Sequence, residues 1–307
     1  MKQKQYGVAL ITALLITAVA TIAAVAMAAR QQLDIRRAGN VIDVDRAYMF
    51  VLGVEDWAKQ ILARDRKDNQ IDNLEEDWAT ILPPLSVEGG VVAGRIEDLQ
   101  GLFNLNNLIN NGTPSANDRK IFERLLQNAG VSTDIIDAVV DWMDKEDQQI
   151  FPHGAEDNDY LQRDIPYRTP NAAMASPSEL LLVKGMSHED YSKIAPYVTA
   201  LPERTTININ TAPAQVLVAV IEGLTQSEAE QIVDDRDNDP FSDINEFMAH
   251  TLVQNRPVMQ DSIGMGSNYF MVTGSAQFDQ GQITLYSLLS RNDNAEVQVI
   301  MRAQGVY

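Results

Sequence analysis

The chain has 307 residues, of which 45% are hydrophobic and 22% are charged, and its formal net charge is −19 with no cysteine. So strong a negative charge repels nucleic acid and anionic lipid headgroups, and it favours metal cations or a basic partner as counter-ions. Without disulfides, the hydrophobic core or a bound metal must stabilise the protein if it lies in an oxidising compartment.

The first predicted element is a long helix that starts with an unbroken apolar run. Residues 8–29 are interrupted only by Thr12, Thr17 and Thr21. As a helix, this run would be roughly 33 Å long, which is enough to cross the hydrocarbon core of a bilayer. Helical patterning continues beyond the run, so we predict one helix over 8–65 with a membrane span at 8–29.

A short basic leader, residues 1–7, precedes the apolar run. Lys2 and Lys4 in this leader predict that its end of the helix stays in the cytoplasm and that the body lies on the other side of the membrane. A secretory signal peptide cut at 26–28 (Ala-Met-Ala) is the alternative. The apolar run is longer than the core of such a peptide, and the helical pattern continues past it, so we favour an anchor.

The predicted secondary structure of the rest of the chain changes twice. Residues 66–113 contain strand-like segments, residues 114–257 contain short helices between acidic or proline-containing loops, and residues 258–307 return to strands. We therefore predict an α+β fold, in which an antiparallel sheet built from the two outer segments is interrupted by an inserted α-helical domain. The predicted helices within the insertion are 117–128, 133–144, 176–183, 188–194, 212–220 and 227–236. The predicted strands are 90–96, 269–274, 282–290 and 296–302.

An acidic cluster lies between residues 134 and 164, where ten carboxylates face only Lys145 and Arg163. Asp137, Asp141 and Asp144 share one helix face, and like charges stacked there are unfavourable without a counter-ion. Ca²⁺ binds six to eight oxygens of this kind. The sequence thus predicts a calcium site, with a solvated acidic surface as the alternative. The candidate ligands are Asp141, Asp144, Asp147, Glu156, Asp157 and Asp159.

A second acidic segment follows the spacing of an EF-hand loop. Asp235, Asp237, Asp239 and Glu246 would supply its ligands, but Pro240 stands where the sharp turn requires glycine. These four residues are weaker metal candidates.

The same segment belongs to a helix-hairpin-helix-like unit at residues 208–247. Units of this type bind DNA phosphates through a Gly-hydrophobic-Gly hairpin, whereas here the hairpin reads Gly223-Leu224-Thr225 and basic residues are scarce. We interpret the unit as a structural or protein-contact module that does not bind nucleic acid.

No catalytic motif is present in the sequence. The three histidines, His153, His188 and His250, are widely separated, and no Gly-x-Ser-x-Gly, His-Glu-x-x-His or Walker-type loop occurs. We therefore predict that the protein is not an enzyme.

Six short motifs spread along the chain resemble those of the large minor pseudopilin of type II secretion, the K type (general secretion pathway protein K). Their order and spacing match, and together with the leader and last strands the resemblance covers essentially the whole chain. The motifs are Asp98-Leu99-Gln100-Gly101-Leu102-Phe103-Asn104-Leu105-Asn106-Asn107, Asp141-Trp142-Met143-Asp144, Gly154-Ala155-Glu156-Asp157, Pro166-Tyr167-Arg168-Thr169-Pro170-Asn171, Glu179-Leu180 and Asn208-Ile209-Asn210-Thr211-Ala212-Pro213.

The resemblance implies a pseudopilin fold with a large helical insertion, at the tip of a short periplasmic filament, the pseudopilus. The chain would be a single-pass protein of the inner membrane of a Gram-negative bacterium, with its C-terminal body in the periplasm. It would initiate and cap the filament with the I-type and J-type minor pseudopilins, in contact with other pseudopilus subunits, and support export of folded proteins. A membrane-anchored periplasmic calcium-binding adaptor without a filament role is the alternative.

The resemblance also implies processing at the leader. A prepilin peptidase would cut between Gly7 and Val8, and the new N-terminus would be methylated. Most pilins carry glutamate as the fifth mature residue, where it neutralises the N-terminal amine of the subunit ahead. That place is Thr12 here, and the missing glutamate is a trait of the K type. A subunit with none ahead of it has no use for a carboxylate that is costly in lipid.

Members of the K type bind calcium in the helical domain, so the resemblance implies that Ca²⁺ binds at the acidic cluster. This sequence departs from the family at Asn158-Asp159-Tyr160, where a tyrosine pair is usual. The assignment of individual ligands therefore stays open.

Overall fold

A computed structural model describes residues 6–81 and 83–305. Its first element is a single helix, α1 (Tyr6–Asp68), which has 63 residues and a length of roughly 95 Å. In the described residues α1 is the one helix with the length and apolar character to cross a membrane. It begins two residues earlier and ends three residues later than predicted. Residues 1–5 of the predicted leader lie outside the described part of the chain.

The described residues form eleven strands. In chain order they are β1 (Leu85–Val87), β2 (Gly90–Asp98), β3 (Phe103–Asn104), β4 (Ile109–Asn110), β5 (Thr113–Pro114), β6 (Val198–Thr199), β7 (Ile207–Asn208), β8 (Ile263–Gly264), β9 (Tyr269–Phe278), β10 (Gly281–Arg291) and β11 (Val297–Gln304). Five of them make one antiparallel sheet in the order β1-β2-β9-β10-β11. The other six form two-stranded pairs within the part of the chain that separates β2 from β9.

Seven further α-helices lie between β2 and β9, and we call this part of the chain (residues 99–268) the head. They are α2 (Ala116–Asn128), α3 (Ile135–Met143), α4 (Asp157–Tyr160), α5 (His188–Ile194), α6 (Ala214–Val220), α7 (Gln226–Asn238) and α8 (Ile244–Ala249). Short 3₁₀ helices are found at Asp77–Ala79, Leu105–Leu108, Pro177–Leu182, Ala195–Tyr197 and Gln260–Ser262. The predicted helix 176–183 is therefore a 3₁₀ helix, and α4 and α8 were not predicted.

The second half of α1 packs on one face of the sheet. Its buried residues Ala47, Val51, Ala58 and Leu62 recur at helical spacing and contact strand residues that alternate along β9 and β10. Those strand residues are Phe270, Val272, Ala276, Phe278, Ile283, Leu285 and Leu289. The period of the helix and the period of the strands thus bring two apolar faces together.

An ion pair between the buried Glu55 and the exposed Arg302 joins α1 to the sheet. Glu55 is buried in this interface and accepts hydrogen bonds from Arg302 Nε (2.7 Å), Arg302 Nη2 (2.8 Å) and Ser287 Oγ (2.6 Å). The pairing of β10 with β11 shifts register between Leu288 and Leu289. Such a bulge changes the face on which the following side chains lie, and it turns Arg302 towards the helix.

The head has a hydrophobic core of its own, separate from the interface of α1 with the sheet. Phe103 and Phe122 stack at 5.6 Å in this core, and α2 packs on α6. The predicted α+β architecture, a long N-terminal helix and an antiparallel sheet with a helical insertion, is confirmed. The predicted boundaries of the insertion, residues 114 and 257, stay predictions.

Candidate functional site

The predicted calcium ligands lie where α3 ends and the following loop returns to α4. Asp141, near the end of α3, is fully buried, and its carboxylate accepts hydrogen bonds from the backbone N–H groups of Ile150 (3.1 Å) and Ala155 (2.8 Å). Asp144 is also buried and accepts from the N–H of Glu146 (3.0 Å). The loop is thus wrapped around the carboxylate of Asp141.

Gly154 makes this wrapping possible. A Cβ atom at this position would overlap Asp141 Oδ2 and would lie 2.6 Å from the carbonyl oxygen of Ile150. Any other residue would therefore push the loop away from the carboxylate. Gly154 was not predicted as a site residue, although a glycine in the middle of an acidic loop was the available signal.

Glu156 completes a group of three buried carboxylates with Asp141 and Asp144. Its side chain is 7% exposed, and its Oε1 atom has no hydrogen-bond partner. Burial, together with the charges of Asp141 and Asp144, raises the pKa of Glu156 to about 7. Burial likewise raises the pKa of Asp141 to about 6 and that of Asp144 above its usual range.

These three buried carboxylates also lack basic partners. Within the described ranges, Asp134, Asp137, Asp157 and Asp159 of the acidic cluster have basic partners, whereas the buried Asp141, Asp144 and Glu156 form no ion pair. An unpaired buried carboxylate is costly, and proteins relieve that cost by protonation or by coordinating a metal. The three residues therefore have the chemistry of a cation site.

The other three predicted ligands differ from one another. Asp147 is exposed, and its charge also raises the pKa of Glu156. Asp157 forms an ion pair with Arg168 (2.7 Å), and Asp159 forms one with Lys184 (2.7 Å). The Lys184 ammonium, more than any other group, lowers the pKa of Asp159. Asp157 and Asp159 thus have cationic partners of their own.

The spacing of the oxygens sets a further condition on a metal. Ca²⁺–oxygen distances near 2.4 Å require ligand oxygens within about 4.8 Å of one another. Among the described residues, only Asp65, Asp72 and Glu76 meet that condition as a group of three. Arg291 already pairs with Asp65 and Asp72, and Glu76 accepts from Trp78 Nε1 (2.7 Å). Asp141, Asp144 and Glu156 would therefore have to move closer together around an ion.

The weaker metal candidates lie at the ends of α7 and α8, where they form contacts with nearby residues. Asp235 lies 3.2 Å from His250 Nε2, and Asp237 pairs with Arg236 at 3.3 Å. Glu246 accepts from the N–H (2.7 Å) and hydroxyl (2.6 Å) of Ser242. Asp239 is the C-terminal cap of α7. These contacts belong to the ends of α7 and α8, so the EF-hand spacing has a structural explanation here.

The helix-hairpin-helix-like unit carries a carboxylate where a DNA phosphate would bind. Glu228 Oε2 accepts from the N–H of Thr225 (2.9 Å) at the start of α7, and Arg256 pairs with the same carboxylate at 2.7 Å. The Arg256 guanidinium, together with Thr225, lowers the pKa of Glu228 to about 2. The Glu228 carboxylate thus already accepts from a backbone N–H at the helix N-terminus where a phosphate would bind.

Two of the sequence motifs meet at the junction of the sheet with the head. Asp98, the last residue of β2, accepts hydrogen bonds through Oδ2 from Asn208 Nδ2 (3.0 Å), Thr211 Oγ1 (2.6 Å) and Ser267 Oγ (2.6 Å). Its Oδ1 accepts from the N–H of Gln100 (2.8 Å). Burial raises the pKa of Asp98 to about 6. The motifs at 98–107 and 208–213 therefore join the two parts of the molecule.

The predicted processing residues lie at the beginning of α1. Gly7 and Val8 are both helical, and the Thr12 hydroxyl donates to the carbonyl oxygens of Val8 and Ala9, each at 3.0 Å. The Thr12 hydroxyl is thus satisfied within its own helix.

Comparison with known proteins agrees with this arrangement. Two family models described as type II secretion system (T2SS), protein K, match residues 101–203 and 207–265. Type II secretion system protein K of Pseudomonas aeruginosa is 35% identical over 99% of this chain and 94% of its own length. The protein of the same name from Aeromonas hydrophila is 31% identical over 99% of this chain and 98% of its own length.

The fold is also similar to a chain of a solved structure, the GspK-GspI-GspJ complex of the type 2 secretion system from enterotoxigenic Escherichia coli. The TM-score is 0.77 with 24% sequence identity, and the match covers 88% of this chain and 100% of that chain. The sequence identities cover nearly the full length, and the family models match more than half of the residues. The chain therefore belongs to the type II secretion system protein K family.

Proposed function

We propose that this chain is the minor pseudopilin that forms the tip of a type II secretion pseudopilus, in complex with the I-type and J-type minor pseudopilins. The observation that carries the proposal is the combination of one long N-terminal helix, exposed or half-buried over residues 7–46, with a large folded head inserted between β2 and β9. The helix offers a surface for lateral packing with other subunits. The head occupies the place of a subunit that would otherwise stack above.

Thr12 supports a terminal position. A glutamate at this place would pair with the amine of a subunit ahead, and an unpaired carboxylate costs a few kcal/mol in lipid. Thr12 instead satisfies its hydroxyl on Val8 and Ala9. The subunit can therefore remain in the bilayer without a subunit ahead of it.

The proposed location is the inner membrane, with the C-terminal body in the periplasm. The apolar length of α1 and the lysines of the leader support this orientation. Prepilin peptidase would cut between Gly7 and Val8, and methylation of Val8 would follow. No chemistry is assigned to the protein itself, and we propose a structural role in transport.

The proposed ligand of the head is Ca²⁺, held by Asp141, Asp144 and Glu156 with Asp147 at its exposed side. Two features support it: the Glu156 Oε1 atom has no hydrogen-bond partner, and the three buried carboxylates form no ion pair with the described residues. The ion would supply positive charge that closes the loop 144–156 onto α3. Asp157 and Asp159 would hold the loop from outside through Arg168 and Lys184.

Two measurements test the assignment. Mass spectrometry of the protein from cells with prepilin peptidase should show an N-terminus at Val8, whereas a start at Ala29 would establish a secretory signal peptide. Affinity purification of the full-length chain should recover the I-type and J-type subunits. An uncut protein that recovers neither would favour the adaptor without a filament role.

A further inference from the structure

The head is attached to the sheet through two neighbouring strands. It follows β2 and precedes β9, and these strands pair antiparallel with Asp98 opposite Phe270, where the head begins and ends. Two adjacent strand ends define one line, and by themselves they would let the head tilt about that line as about a hinge. A fixed orientation needs a further contact away from the two strands. The end of α1 and the linker that follows it (residues 69–76) supply this contact.

Asp72 of the linker is bonded to its surroundings through each of its polar groups, and it is 1% exposed. Its N–H donates to the carbonyl oxygen of Met265 (2.8 Å), and its own carbonyl oxygen accepts from Asn208 Nδ2 (3.0 Å). Its Oδ2 atom accepts from the N–H of Ser267 (2.7 Å), and its Oδ1 atom accepts from Arg291. The linker is thus bonded to two separate segments of the head.

A glycine allows the linker and the head to approach this closely. A Cβ atom at Gly266 would lie 2.6 Å from the carbonyl oxygen of Gln70, so only glycine fits here without a shift of the backbone. Arg66, near the end of α1, donates to Asn268 Oδ1 and to Gln70 Oε1 (3.1 Å). The end of α1, the linker and the last residues of the head therefore pack directly on one another.

Arg291, the last residue of β10, joins these parts through one guanidinium group. Its Nη1 atom donates to the carbonyl oxygen of Leu62 (3.1 Å) and to Asp65 Oδ2 (2.6 Å), which both belong to α1. Its Nη2 atom donates to Asp72 Oδ1 in the linker and to the carbonyl oxygen of Ser267 in the head (2.8 Å). A planar guanidinium holds several acceptors at set angles, whereas the ammonium of lysine is a point charge on a flexible stem.

The burial of Arg291 indicates a role in geometry more than in stability. Its side chain is 1% exposed, and so is that of its partner Asp72. A buried ion pair often stabilises a protein no more than apolar residues of the same size, because the loss of hydration offsets the attraction. The guanidinium can satisfy its acceptors only when α1, the linker and the head have one relative arrangement. The pair therefore selects that arrangement.

We propose that Arg291 fixes the orientation of the head on α1, so that helix, sheet and head move as one rigid body when the filament advances. This inference rests on the proposed function and adds how a displacement of α1 reaches the head. A head that tilted would take up part of the displacement instead of transmitting it. Arg291 is thus a positioning residue, which acts through Asp72 and Ser267.

The distance between two spin labels measures the orientation of the head. The chain has no cysteine, so Gln60→Cys in α1 and Gln231→Cys in α7, both exposed, place the labels in the full-length protein in lipid nanodiscs. Double electron–electron resonance should give one narrow distance distribution, and Arg291→Lys should broaden it at least two-fold. Arg302→Lys is the matched control, because the pair of Arg302 with Glu55 joins α1 to β11 and does not involve the head. The control should leave the width unchanged.

Three results would overturn the proposal. They are a broad distribution in the wild type, an unchanged width in Arg291→Lys, and equal broadening by Arg291→Lys and Arg302→Lys. If Arg291→Lys does not fold, Asp72→Asn replaces it with the same expectation, because the amide nitrogen of asparagine would face a donor in place of one carboxylate oxygen.

Secretion by cells separates this proposal from the proposed function. Arg291→Lys should reduce export at least five-fold while the full-length chain still recovers the I-type and J-type subunits as wild type does, and Arg302→Lys should change neither. Normal export by Arg291→Lys would refute the transmission of displacement through Arg291. Failure of the wild type to recover either minor pseudopilin would instead refute the proposed function.

Discussion

Gly154 lies against the carboxylate of Asp141 so closely that no side chain could be placed between them. The loop that follows α3 therefore depends on this glycine as well as on the acidic residues. Gly154→Ala should lower the free energy of unfolding by about 2–4 kcal/mol, because the added methyl group displaces the backbone from a buried carboxylate.

Denaturant unfolding of the two proteins measures this loss. Gly39→Ala is the matched control, because its Cβ would meet no neighbour and alanine has the higher helix propensity, so it should stabilise the protein by up to about 1 kcal/mol. Equal effects of the two substitutions would show that Gly154 has no special role.

Glu156→Gln should raise the stability of the calcium-free protein and reduce the further stabilisation that Ca²⁺ gives. In EDTA the variant should be more stable than wild type by about 1–2 kcal/mol, because glutamine removes an unpaired buried charge. With free Ca²⁺ at 100 times its dissociation constant, wild type should gain about 2.7 kcal/mol and the variant much less.

Calorimetric melting with EDTA and with excess Ca²⁺ measures both effects. Asp164→Asn serves as the control, because Asp164 is an exposed acidic residue of the same region. Coincident wild-type curves in EDTA and Ca²⁺ would count against a calcium site.

Asp98→Asn should weaken the junction between the sheet and the head. An amide cannot accept from all four donors that Asp98 satisfies, so at least one buried donor loses its partner. The expected loss is about 1–3 kcal/mol in the free energy of unfolding. The neighbouring exposed substitution Glu97→Gln should change it by less than about 0.5 kcal/mol, and a similar loss from both would refute the role of Asp98.

The cost of Asp98→Asn should also depend on pH. The pKa of Asp98 is raised from 3.8 to about 6 on folding, so the folded state binds more protons than the unfolded state between these values. The contribution of Asp98 to stability therefore falls as pH rises from about 4 to 6, by about 3 kcal/mol at most. Unfolding experiments at pH 4.5 and 7.5 should show the larger difference between wild type and variant at pH 4.5. A difference that grows with pH would contradict the raised pKa.

Thr12→Glu should have little effect on secretion or filament length if the head prevents growth above this subunit. Removal of residues 114–257 should instead lengthen filaments or disturb their ends when the major pseudopilin is overproduced. Electron microscopy with immunogold labelling of this chain measures the filament length and the position of this chain in the filament. Label along the whole filament, rather than at one end, would refute the terminal position.

Local sequence patterns predicted most of the elements in this protein. Helix α5 was predicted at the residues that form it, and in the structure the Ser187 hydroxyl caps this helix by accepting a hydrogen bond from the N–H of Asp190 (3.0 Å). Helices α2 and α7 were predicted within two residues at each end. The capping residue and the apolar pattern that define such a helix are both local features of the sequence. Helix α4 was missed because its four residues are too short for a periodic pattern.

The sequence alone also determined that carboxylates crowd together near Asp141, because three of them share one helix face. Only the tertiary structure decided which carboxylates remain unpaired. Arg168 and Lys184 come from later segments and pair with Asp157 and Asp159, whereas Glu156 is left without a cation. Likewise, β2 pairs with β9 across the whole head. Helix and strand periodicity depend on neighbours along the chain, but ion pairs and strand pairing depend on distances in space that no local pattern contains.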